Sequence, residues 1–181
     1  MRRPDLRLAL LAAAIATLAG TVRAEERYGI GRPATAAEIA GWNIDIGRDG
    51  SNLPPGSGSV ERGRVVFSEQ CVACHGDNGQ GGVGDRLVGG QGSLASAKPI
   101  RTVGSYWPYA PTLFDYIRRA MPQNAPQSLS NEDVYAVSAY ILSLNGIVPA
   151  NAVLDAKSLA AVKMPNRDGF VSDPRPDVHD H

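Results

Sequence analysis

The chain has 181 residues, with 18 basic and 18 acidic side chains and two cysteines. Its length fits one domain with tails, and its balanced charge gives no indication of binding to nucleic acid or to a membrane surface. Two cysteines also exclude a zinc site built from two cysteine pairs.

The first 24 residues predict a signal peptide. Three arginines precede an apolar run over residues 8–18, which is too short to span a bilayer. Small residues at positions 22 and 24 suit a signal peptidase, so we expect cleavage after Ala24 and export to the periplasm. An uncleaved membrane anchor is the alternative. This segment carries a net charge of +3, which leaves −3 on the remainder.

Residues 25–58 are predicted to form an N-terminal arm. Thr35 and Glu38 fit a capping box that begins a short helix ending near Trp42. Residues 47–59 are rich in turn formers and predict no regular structure. The arm is either a disordered leader or a segment that packs on the domain or on a partner through Trp42. We favour packing, because several large apolar side chains would otherwise face water.

Residues 71–75 read Cys-Val-Ala-Cys-His, the attachment signature of a c-type haem. A helix is predicted to lead into this motif over residues 60–71. Cys71 and Cys74 lie about one helical turn apart, so both sulfurs can form thioethers at the same edge of the porphyrin. His75 can then bind the iron as an axial ligand. A disulfide or a redox dithiol is the alternative.

Two stretches after the motif are candidates for contact with the haem. The glycine-rich loop 76–84 can lie against the haem edge where side chains would not fit. Tyr106 and Trp107 suit the haem rim, because they combine an apolar ring with a polar tip. Ordinary loop flexibility and core packing are the respective alternatives.

Two further helices are predicted. Pro111 begins a helix that continues through Ala120. Ser130 caps a helix that ends near Asn145, with an apolar stripe on one face. Residues 148–181 are expected to form a C-terminal arm or tail.

Elimination predicts the second axial ligand of the iron. His179 and His181 lie at the end of a proline-containing tail. Met121 and Met164 are then the candidates, and Met121 is favoured because it lies in the loop between two helices. Met164, a lysine or an open site are the alternatives. Two retained ligands suit electron transfer, and no catalytic residue is predicted.

The pattern of Gly63, Phe67, the haem motif, Met121-Pro122 and a final helix with Tyr140 resembles class I cytochrome c over residues 58–147. The resemblance implies an all-α fold of three to five helices around one covalent haem c. It also implies that Gly63 and Tyr140 meet where the first and last helices cross. The family often has a proline near Arg86 whose carbonyl orients the histidine; this chain lacks it.

Five segments resemble the cytochrome subunit of Sox-type sulfane dehydrogenase and its sulfite dehydrogenase relatives. They are residues 28–33, 53–57, 103–109, 115–122 and 165–170. This resemblance implies a domain at 59–147 flanked by arms that wrap a molybdopterin-containing dehydrogenase subunit, with another c-type cytochrome as electron acceptor. A free-standing monohaem carrier is the second hypothesis, and a haem enzyme or gas sensor with an open iron is the third.

Overall fold

The structure is a computed structural model that describes residues 30–173 and residue 175. The predicted signal peptide 1–24 lies outside these residues, as do His179 and His181. The chain divides into two units, Met1–Trp42 and Asn43–His181. No helix in the described part of the chain combines the length and the apolar character needed to cross a membrane.

The described part of the first unit contains helix α1, Ala36–Trp42. The Glu38 backbone N–H donates to Thr35 Oγ1 at 3.3 Å, and the Thr35 N–H donates to Glu38 Oε2 at 2.8 Å. This reciprocal pair confirms the predicted capping box. The Arg32 guanidinium and the Thr35 hydrogen bonds lower the pKa of Glu38 to about 2. Trp42 is 88% exposed, and its contact with a partner stays a prediction.

The second unit is mostly helical, as the sequence predicts. Its capped helices begin where expected, since Ser59 accepts from Arg62 N at 3.1 Å and Ser130 accepts from Asp133 N at 3.1 Å. The helices are α2 (Val60–Gln70), α3 (Val72–His75), α4 (Ala110–Ala120), α5 (Asn131–Leu144) and α6 (Ala156–Ala160). Strands β1 (Ser57–Ser59) and β2 (Val153–Asp155) pair antiparallel, with Gly58 opposite Leu154.

Helices α2 and α5 cross in direct backbone contact. A Cβ placed on Gly63 would lie 1.9 Å from the Ala136 carbonyl oxygen and 2.8 Å from Tyr140 Cβ. One turn further on, the rings of Phe67 and Tyr140 pack with their centroids 5.3 Å apart. The predicted meeting of Gly63 and Tyr140 is therefore confirmed, and only glycine fits at the crossing.

Both flanks of the helical region contribute to one hydrophobic core. Ile46, Leu159 and Met164 are buried in the same cluster as the side chains of α2, α4 and α5. The expectation that residues 47–59 hold no regular structure is wrong for residues 57–59. These residues form β1, because β2 pairs with them. The domain boundaries at residues 59 and 147 stay predictions, but the hydrophobic core includes buried residues on the far side of both.

Polar contacts secure the segment that precedes β1. The Ile46 N–H donates to the buried carboxylate of Asp115 at 3.1 Å, and Arg119 pairs with the same carboxylate. The Tyr135 hydroxyl donates to the Pro54 carbonyl at 2.8 Å. Burial is the main cause that raises the pKa of Tyr135 to about 12, and Asp155 adds to the shift.

We predict that Gly63→Ala lowers the free energy of unfolding by about 3 kcal/mol or more, because its methyl group would overlap the Ala136 carbonyl. Chemical denaturation measures this loss. Gly41→Ala is the matched control, since a Cβ there meets nothing within 4 Å. Equal stability of the Gly63 variant and the wild type would contradict the crossing.

We predict that Tyr135→Phe lowers the free energy of unfolding by about 1 kcal/mol at neutral pH, because the hydrogen bond to Pro54 is lost. The raised pKa of Tyr135 means that its contribution is full below its ordinary pKa near 10 and is lost as the pH rises towards 12. The deficit of the variant should therefore shrink between these two pH values in denaturation curves. A constant deficit would contradict the raised pKa.

Candidate functional site

The haem motif forms a helical turn directly after α2. The Cys71 N–H still donates to Phe67 O at 2.9 Å, and the His75 N–H donates to Cys71 O at 3.0 Å. The crossing of α2 with α5 therefore determines where the motif lies. Both cysteines are free, Cys71 half-buried and Cys74 exposed. The structure thus brings Cys71, Cys74 and His75 together on one turn.

The electrostatics of Cys71 weaken the redox-dithiol alternative. Burial, followed by the neighbouring Cys74, raises the pKa of the Cys71 thiol to about 11. Redox-active dithiols have a thiol pKa lowered towards neutrality, because the thiolate is the reactive form.

A backbone carbonyl orients the His75 ring. Nδ1 of His75 lies 2.7 Å from the carbonyl oxygen of Asp85, so Nδ1–H donates and Nε2 keeps its lone pair for a metal. Asp85 therefore does what the proline carbonyl does in the family pattern. No sequence pattern indicates this role, because every residue type has a backbone carbonyl.

The glycine loop lies against the motif. The Gly84 N–H donates to Cys74 O at 2.8 Å, and the Gly81 N–H donates to His75 O at 2.8 Å. A Cβ on Gly84 would lie 3.0 Å from the His75 ring. A side chain at Gly84 would therefore crowd the His75 ring, and the contact of this loop with the haem edge stays a prediction.

Asn145 connects the end of α5 to the segment that follows Asp85. It is 8% exposed. Its Oδ1 accepts from the Gly89 N–H at 3.0 Å, and its Nδ2 donates to the carbonyls of Leu87 at 3.2 Å and Ile141 at 2.9 Å. Its carbonyl accepts from Gln91 Nε2 at 2.8 Å. In the sequence Asn145 marks only the end of a helix, so this role was missed.

The other predicted site residues come from separate segments. Met121 directly follows α4 and is half-buried against the core, whereas Met164 is 3% exposed within the core. Trp107 packs its edge on Tyr116, with centroids 5.8 Å apart. The rings of Tyr106 and Phe170 pack with their centroids 5.3 Å apart. The haem-rim roles of Tyr106 and Trp107 stay predictions.

The donor set fits a haem better than a bare metal ion. Within residues 30–173 and 175, no three His, Cys, Asp or Glu side chains lie together as ligands for one ion. A single imidazole nitrogen beside two free thiols instead matches a group that is bound covalently at its edge and axially at its metal.

Comparisons with known proteins agree with this geometry. Residues 60–145 match the profile of the cytochrome c family. A thiosulfate dehydrogenase of Stutzerimonas stutzeri (strain A1501) is 32% identical over 92 residues, which is 50% of this chain and 29% of that relative. The crystal structure of the sulfane dehydrogenase SoxCD from Paracoccus pantotrophus contains a chain that is 41% identical, with a TM-score of 0.78. That match covers 83% of this chain and 75% of the other.

We predict that Asn145→Ala lowers the free energy of unfolding by about 2–4 kcal/mol, because the partly buried Gly89 N–H and Leu87 carbonyl lose the partners that its side chain supplies. Hydrogen exchange of the Gly89 amide should accelerate in the same variant. Asn166→Ala is the control, since this more exposed asparagine donates one hydrogen bond, to Tyr106 O. Unchanged exchange at Gly89 would contradict the role of Asn145.

Proposed function

Since this chain belongs to the cytochrome c family, we propose that it is the electron-transfer subunit of a periplasmic dehydrogenase that oxidises a sulfur compound. The observation that carries the electron-transfer role is the His75 ring, fixed through Nδ1 beside two free thiols. The likeness to a chain of the SoxCD sulfane dehydrogenase supports the choice of complex.

The chain carries one haem c, bound covalently, as the family implies. Cys71 and Cys74 would supply the two thioethers, and His75 Nε2 would face the iron. When bound, the haem supplies an iron that gains and loses single electrons. The role of the protein is to orient the imidazole and to keep the same surroundings in both oxidation states. The Asp85 carbonyl and the glycine loop support this role, since both hold the motif through backbone contacts.

Met121 is proposed as the second axial ligand. Met164 packs within the hydrophobic core, which leaves its thioether a packing role. Met121 keeps partial exposure at the start of the loop between α4 and α5, which supports its use as a ligand. A thioether is a weak donor that favours the reduced iron.

We predict that Met121→Ala abolishes the weak far-red absorbance band of methionine-ligated ferric haem, because no other thioether can replace it. Met164→Leu is the matched control and should keep the band, since it conserves volume in the core. Retention of the band in the Met121 variant, or its loss in the Met164 variant, would contradict the assignment.

The proposed partners are a molybdopterin-containing subunit, which oxidises the sulfur compound, and an acceptor c-type cytochrome. The chain would then pass single electrons from one to the other. In this proposal the flanking arms, residues 25–58 and 148–181, contact the first partner, and the exposed Trp42 is a candidate anchor.

Native purification tests this assignment. We predict that the cytochrome, isolated from periplasm without denaturants, elutes with a second polypeptide and with molybdenum. Trp42→Ala should weaken this association relative to Ile30→Ala, a second exposed apolar side chain of the same unit. A haem protein that elutes alone and without molybdenum would instead favour the free-standing carrier.

A further inference from the structure

Three arginine guanidiniums lie over two tyrosine rings of the loop that precedes α4. The Arg101 guanidinium lies 5.5 Å from the centre of the Tyr106 ring. Arg167 and Arg48 lie 4.6 Å and 5.9 Å from the centre of the Tyr109 ring. These arginines come from three distant parts of the chain, so the fold gathers them. We call these five residues the Arg–Tyr face.

No salt bridge neutralises the three guanidiniums within the described residues. All three arginines are exposed, and none of them is within salt-bridge distance of a carboxylate in that part of the chain. The charged carboxylate of Asp49 is adjacent to Arg48 and interacts with it, so the positive charge of the face comes from Arg101 and Arg167. The face is cationic through these two residues, although the chain as a whole has no net charge.

Exposed aromatic side chains continue this surface. A groove of about 400 Å³ next to the face is lined by Arg101, Tyr106, Asn166 and Phe170, among others. Phe170 is 54% exposed and Tyr106 is 37% exposed. Arginine and aromatic residues are the types enriched where proteins bind one another.

We propose that the Arg–Tyr face docks a partner protein through a cluster of carboxylates. A guanidinium held over a tyrosine ring by a cation–π contact can still bind carboxylate through its N–H groups. The contact also restricts the long side chains beforehand, so that less freedom is lost on binding. This inference rests on the proposed function in one respect: the partner is taken to be a protein that exchanges electrons with the chain.

Poly-L-glutamate binding to the haem-loaded protein tests the chemistry of the face without requiring electron transfer. Calorimetric titration at low and at physiological salt should show binding that weakens with salt. Arg101→Gln/Arg167→Gln should reduce the affinity roughly three- to tenfold at low salt, since exposed ion pairs contribute modestly. Arg62→Gln/Arg64→Gln on α2 changes the net charge equally and should leave the affinity nearly unchanged.

Equal losses in the two double variants would overturn the proposal, because net charge alone would then explain binding. Unchanged affinity in the Arg101/Arg167 variant would also overturn it, and a shifted reduction potential in that variant would then assign these arginines to the haem propionates. The Arg–Tyr face could bind poly-L-glutamate as predicted while the native protein elutes without a partner. In that case the proposed dehydrogenase complex is wrong, and the proposal for the Arg–Tyr face is supported.

Discussion

The backbone contact between Gly63 and Ala136 is the constraint on which the site depends. It brings α2 against α5 at a distance that no side chain on residue 63 would permit. Because the haem motif continues directly from α2, the crossing determines where Cys71 lies relative to α5. The core then closes around the crossing, with Phe67 and Tyr135 completely or almost completely buried. The proposed site of covalent attachment thus lies directly after a close helix crossing.

The position of the histidine is maintained by backbone groups more than by side chains. Asp85 orients the imidazole through its carbonyl, and Asn145 holds the following residues to the end of α5. Helix α5 therefore supports the motif twice, once through the crossing and once through Asn145. We expect a site held in this way to change little between oxidation states, as fast electron transfer requires.

Local patterns predicted α1, α2, α4 and α5, the caps at Thr35 and Ser130, and the motif, because each depends on residues close in sequence. Ser130 caps its helix through a bond three residues away. The cap at Ser59 and helix α6 with its capping box were missed, although their signals are equally local. Other features that the sequence did not reveal depend on distant partners. Residues 57–59 form a strand only because residues 153–155 pair with them, and Ile46 is buried beside helices that lie far along the chain. The role of the Asp85 carbonyl could not be predicted from the sequence, since every residue has this main-chain group.

With the proposed ligands His75 and Met121, the iron would be closed on both sides, so that only electrons pass. Exposure of the reduced, purified protein to carbon monoxide tests this account most directly, since the gas binds a ferrous haem that lacks a sixth ligand. The account predicts an unchanged absorbance spectrum at neutral pH. Rapid formation of a carbon monoxide complex would contradict it and favour a haem enzyme or gas sensor.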